Sequence, residues 1–160
     1  MFCPETFPII LGHTPEVANT LLDTSDAVKL TNAKGVLIVV QHYRGGDTDV
    51  ALTVHEGATA AIAKAGTYAI TETFPIWVNT ATGTNDTMVR QTDAVGYTID
   101  AGVYTGSQLV CFYIDAAILT ATYDWVHLGA GAGNGASIMS VLYILDGARY
   151  QQTTPPTAIA

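Results

Sequence analysis

The sequence predicts an antiparallel all-β domain, a sandwich or a barrel, and three observations point there. Val, Ile, Tyr, Phe and Thr recur in short apolar runs or alternate with polar residues, which is the pattern of pleated strands. Clusters of Gly, Asp, Asn and Thr break these runs at intervals of roughly 8–12 residues. No segment sustains a 3.6-residue period over several turns, so helix is confined to short pieces.

Strands are expected near residues 27–30, 36–43, 50–56, 67–73, 76–79, 95–99, 109–115, 125–128 and 138–145. The run Gly35-Val36-Leu37-Ile38-Val39-Val40 is apolar on both faces, as in a central strand covered on each side. Arg44-Gly45-Gly46-Asp47-Thr48-Asp49 reads as the loop of a hairpin, and Asp146-Gly147 and Gly102 as further turns. Residues 58–65 offer a turn or two of helix ended by Gly66, and residues 115–119 one turn capped by Asp115. Glu5-Thr6-Phe7-Pro8-Ile9 recurs as Glu72-Thr73-Phe74-Pro75-Ile76, but the flanks do not match, so the echo is not a duplication. Each proline lacks the N–H that a ladder needs, which places both segments at edges or strand starts. The domain plan is an arm over residues 1–20, a sandwich over 21–150 and an extended tail over 151–160, stiffened by Pro155-Pro156.

At 160 residues and 16.8 kDa, one domain is expected, large enough to hold a core without disulfides or metal. Only 12% of residues are charged, against about a quarter in ordinary domains, so Ala, Thr, Gly and Val must supply much of the exterior. Either that surface is mild, or neighbours bury part of it. A net charge of −8 with six scattered Lys and Arg excludes the basic footprint of a nucleic-acid or anionic-membrane binder. Cys3 and Cys111 make no disulfide framework, and Cys111, within an apolar run, reads as a buried inert thiol. No secretory or membrane segment is read, and synthesis in the cytosol is the expectation.

Candidate chemistry is sparse. His13, His42, His55 and His127 invite a metal, but a cupin-type site needs His-x-His on one strand, and none occurs. Adjacent His55 and Glu56 point to opposite faces of a strand. His42 and His55 are the weak metal candidates, because one register of the expected hairpin sets them side by side and a one-residue slip parts them. Asp47-Thr48-Asp49 lacks the spacing of a calcium loop and reads as a turn. The glycine-rich stretch 129–135 has a strand after it where a phosphate-binding loop needs a helix, so a flexible hairpin loop is expected. No Gly-x-Ser-x-Gly, Ser-x-x-Lys or Cys-with-His signature appears, and neither catalysis nor a cofactor is expected. Trp77, Trp125 and Tyr43, Tyr97, Tyr104, Tyr123 and Tyr150 could form a sugar-stacking platform; Trp125 and Phe112 read instead as core anchors.

Three segments carry a resemblance: Ser107 to Leu119 (SQLVCFYIDAAIL), Tyr123 to Leu128 (YDWVHL) and Ser140 to Tyr150 (SVLYILDGARY). Together they look like the C-terminal half of small structural proteins of tailed bacteriophages. The strand after Asn32-Ala33-Lys34-Gly35 and the stretch Asp49 to Gly57 (DVALTVHEG) are similar to their first hairpin, and the likeness spans residues 20 to 150. The resemblance implies a head decoration, or cement, protein with a jelly-roll-like sandwich. Such a protein sits on the capsid exterior as a homo-oligomer, a trimer by preference, and stabilises the major capsid protein lattice. A seam of roughly 800 Å² per partner, repeated across the lattice, would make release slow by avidity. The expected contacts are Phe7, Ile9, Ile10 and Leu11 near the N-terminus, Gly131, Gly133 and Asn134 in the glycine loop, and Pro155, Pro156 and Ile159 in the tail. A carbohydrate-binding sandwich, and a tail or neck protein of the same virion, are the alternatives.

Overall fold

The computed structural model describes residues 7–17, 25–100 and 106–148. Its strands are β1 (Ile9–Val17), β2 (Val28–Lys29), β3 (Ala33–Tyr43), β4 (Val50–Gly57), β5 (Ile76–Asn79), β6 (Val89–Arg90), β7 (Gly96–Ile99), β8 (Ser107–Asp115), β9 (Trp125–Ala130) and β10 (Ile138–Ala148). They form two sheets, ordered β1-β10-β3-β8-β5-β6 and β2-β9-β4-β7. Every pairing is antiparallel. With β5 and β6 set aside, the other eight strands run first-eighth-third-sixth in one sheet and second-seventh-fourth-fifth in the other. That interleaving is the strand order of a jelly roll. The pair β5–β6 is an insertion that widens the first sheet beyond β8.

The core follows from strict alternation. Val36, Ile38 and Val40 of β3 and Val110, Phe112 and Ile114 of β8 are fully buried between the sheets. Leu52, Val54, Val126 and Leu128 meet them from the smaller sheet. Phe74 packs edge-to-face on Phe112 with ring centroids 5.7 Å apart, a geometry that the ring quadrupoles favour. The one α-helix among the described residues, α1 (Ala60–Lys64), starts where Thr59 Oγ1 accepts from Ile62 N. It ends at Gly66, whose φ of +66° suits a residue without Cβ. Asp115 caps the 3₁₀ turn Ala116–Ile118 by accepting from Ala117 N at 2.8 Å.

Several expectations need correction. β3 and β4 lie in different sheets, as do β9 and β10, so segments 44–49 and 131–137 are arches between sheets and not hairpin loops. The two arches pack on each other: a Cβ at Gly45 would sit 2.0 Å from the Ala136 carbonyl oxygen, and one at Gly46 2.3 Å from the Asn134 side chain. The glycines serve that close approach. The strand expected at 67–73 shrinks to a single bridge, Ala69 to His55, flanked by Glu56 N→Tyr68 O (2.8 Å) and Ile70 N→Val54 O (2.9 Å). Residues 9–17, expected within an arm, are a sandwich strand paired with β10. Two irregularities near His13, together with Pro15, hide its period.

The two proline echoes do start strands. Pro8 and Pro75 immediately precede β1 and β5, and their carbonyls accept from Leu145 N (2.9 Å) and Tyr113 N (3.1 Å). Cys3, Gly102, Tyr104, Tyr150 and the tail 151–160 lie outside the described residues.

Candidate interaction surface

Alternation places every second residue of the larger sheet on the side away from the core. Cross-strand register then aligns these residues into rows. The longest runs Leu11–Leu142–Val39–Cys111–Trp77 across five strands and ends at Arg90 on the sixth. Beside it lies Ile9–Ile144–Leu37–Tyr113. Two residues along on the other side the row is Ser140–Gln41–Leu109, with a polar pair at its head, and four residues along comes Val17–Ile138–Tyr43. Ile9 and Leu11 are half exposed (50% and 49%), as are Tyr43 (51%) and Ile138 (45%). The helix α1 is on the other sheet, where it packs against β4 and β9.

The border of this face is electrically quiet. Arg90 lies 5.0 Å from the Trp77 ring centroid and is ion-paired with Asp93. At another corner the Tyr113 ring covers Gly35, where a Cβ would meet its hydroxyl at 2.9 Å. That hydroxyl donates to Asp146 Oδ2 at 2.6 Å. Burial, then the hydrogen bond and charge of Asp146, push the Tyr113 hydroxyl above the ordinary phenol range, so it stays a donor. In the middle, burial pushes the Cys111 thiol up to about 11, so it behaves as a small hydrophobe. What such a face can do is physical: it gains about 25 cal/mol for each Å² of apolar area taken from water.

The residues expected at an interface divide. Ile9 and Leu11 lie on this face, and Phe7 is half-buried beside β1. Ile10 points the opposite way, into the core, at 7% exposure, because neighbours in a strand face opposite sides. Gly131, Gly133 and Asn134 belong to the arch, where Asn134 Oδ1 accepts from Ala136 N at 2.8 Å. Pro155, Pro156 and Ile159 lie outside the described residues. Leu37, Val39, Cys111, Trp77 and Leu142 were not expected as contacts. Their signal was the two-faced apolarity of Gly35 to Val40, read as a buried strand.

The histidines form no metal centre: among the described residues no group of three His, Cys, Asp or Glu could hold an ion. His42 and His55 sit in different sheets, because the arch replaces the expected hairpin. His42 faces between the sheets next to its register partner Gln108, each 1% exposed. Neither side chain has a hydrogen-bond partner among the described residues. His55 faces outward and stacks on its register partner His127, with centroids 6.1 Å apart. Burial lowers the pKa of both His42 and His55. Sequence reading also missed Ser25, whose Oγ lies 2.6 Å from His127 Nε2. Ser25 (0%) and His127 (2%) are sealed from solvent, and Ser25 also donates to the Leu128 carbonyl at 3.3 Å, so the pair satisfies buried polar groups. Inside the sandwich, buried Glu56 accepts from Thr120 N at 2.8 Å and from the Thr120 hydroxyl.

The aromatics do not line up either. Trp77 and Trp125 are in different sheets, and Trp125 is half-buried with Lys29 Nζ 5.7 Å from its ring centroid, not a core anchor. Phe112 is one. Asp47 is engaged by Arg44.

Fold and face together define a class: an all-β sandwich of jelly-roll topology with an apolar sheet face that no other element packs over among the described residues. No protein-family model, curated protein or solved structure matches this chain. Among the described residues no helix is long and apolar enough to cross a membrane.

Proposed function

We propose that this chain is a structural protein of a bacteriophage particle, one that acts by packing on protein surfaces and catalyses no reaction. Its place is the capsid exterior, where it stabilises the major capsid protein lattice as a homo-oligomer. The supporting observation is the row Leu11–Leu142–Val39–Cys111–Trp77, five apolar side chains in succession on the side of the sheet away from its core. A sheet face bathed in water ordinarily alternates to polar residues. Jelly rolls also occur in lectins and cupins, so the fold alone does not choose among functions. The face favours adhesion to protein, and a net charge of −8 disfavours phosphate-bearing partners. Weak seams repeated on a symmetric shell hold by avidity.

Quantitative mass spectrometry of phage particles from a host carrying this gene tests the proposal. The chain should be abundant in purified particles, in proportion to the major capsid protein. A copy number matching tail or neck components would move it there, and absence from particles would refute the proposal.

A further inference from the structure

We propose that the outer face of the larger sheet is the contact surface for a second copy of this chain, the two sheets stacking face to face. The inference rests on the reading of this face as an adhesive surface and names its occupant.

The first ground is area. Six strands at ~4.8 Å and four rows of outward side chains at ~6.7 Å span roughly 24 by 20 Å, about 500 Å² per copy. Two such faces in contact bury about 1,000 Å², the least expected of a specific interface and suited to a weak, reversible pair.

The second ground is charge. The chain carries −8, yet the rows between Ile9 and Trp77 hold no ionised side chain. The charges on the border are already engaged: Arg90 by Asp93, Asp146 by Tyr113, and Asp115 by the turn it caps. Asp146 and Asp115, in the row that flanks this face, keep their negative charge, but the rows from Ile9 to Trp77 ask for a partner of neither sign. They ask for a flat, uncharged and mainly apolar surface, and the same face on another copy is one, with the polar pair Ser140–Gln41 able to meet its own counterpart. Two acidic chains can meet there with their net charge turned outward. Stacked sheets sit ~10 Å apart with side chains interdigitated, and a flat face closes on one partner by a two-fold axis.

Sedimentation of the full chain over the micromolar range tests this, with circular dichroism confirming the fold of each variant. The wild type should sediment at twice 16.8 kDa. Leu142→Glu should weaken pairing by roughly tenfold or more, because both copies lose a buried leucine and gain a charge. Leu142→Ala should weaken it less, and Ala51→Glu, on the exposed outer side of the smaller sheet, should leave it unchanged. In a Cys3→Ser background, alkylation of Cys111 should speed up on dilution as pairs separate.

A single-copy mass at every concentration, a trimer, or a pair indifferent to Leu142→Glu would overturn the inference. A monomer that still binds phage particles through Leu142 would put the shell, not a sibling, on this face and leave the proposed function standing. A pair that never appears on a particle would do the reverse.

Discussion

The two outward faces of the sandwich differ in what they carry and in what lies over them. On the smaller sheet the outward positions are mostly small or polar: Ala51, Thr53, His55 and Gly57 on β4, with His127 and Gly129 on β9, and Trp125, half-buried beside Lys29, is the large exception. Part of that face is covered by the chain itself. A Cβ at Gly57 would fall 2.6 Å from Ala63 N of α1, and one at Gly129 would fall 2.7 Å from the His55 ring. On the larger sheet the corresponding positions are mostly Leu, Ile, Val, Cys, Tyr and Trp, with Ser140 and Gln41 a polar pair among them, and α1 is on the far side. One chain has therefore solved the same problem twice. Where it supplies its own cover, glycine makes room for a close fit; where no other described element packs over the sheet, large apolar groups stand on its outward side.

The comparison is broken most strongly at the covered face. Gly57→Val should destabilise the fold by about 1–3 kcal/mol, because the new side chain meets α1 backbone that has no room to yield. Urea unfolding measures it. Next comes Thr120→Val, which keeps the backbone N–H donor but takes the hydroxyl donor from the buried Glu56 carboxylate, one hydrogen bond fewer, and should cost about 1–3 kcal/mol.

Acid should act through the core and the smaller sheet. His42 and His55 have folded-state pKa values below the ordinary 6.5, caused by burial. Below about pH 6.5 the unfolded chain takes up protons first, so stability falls with pH until the folded-state values are reached. Thermal melts from pH 7 to pH 5 should show this fall, and His42→Leu should flatten it. The smallest effect belongs to the open face: Val39→Thr should change single-copy stability by no more than about 0.5 kcal/mol beyond its lost packing, while lowering the tendency to associate. A large loss of stability in a monomeric sample would mean that another part of the chain already covers Val39.

The sequence was most legible where composition and period agree. β5 falls on the expected residues 76–79, and Thr59, Gly66 and Asp115 mark short helical pieces whose local hydrogen bonds need no tertiary knowledge. β1 was missed because Gly12, Pro15 and two register shifts erase its alternation. The arches were taken for hairpins because glycine and aspartate serve either kind of link, and only the sheet order distinguishes them. That one ambiguity also generated the His42–His55 pairing. For the interaction surface, the apolar run Gly35 to Val40 did announce cover on both sides. It held no information on whether the second cover is a sheet, a helix or another molecule.

The kinks in β1 have a consequence for how such a protein fails to polymerise. This strand is the outermost of the larger sheet at one end, and an outermost strand with a regular ladder invites the next molecule to extend it without limit. Pro15 has no amide hydrogen to offer, and the shifts on either side of His13 throw the remaining groups out of step. Growth sideways into ribbons from this edge is thereby discouraged.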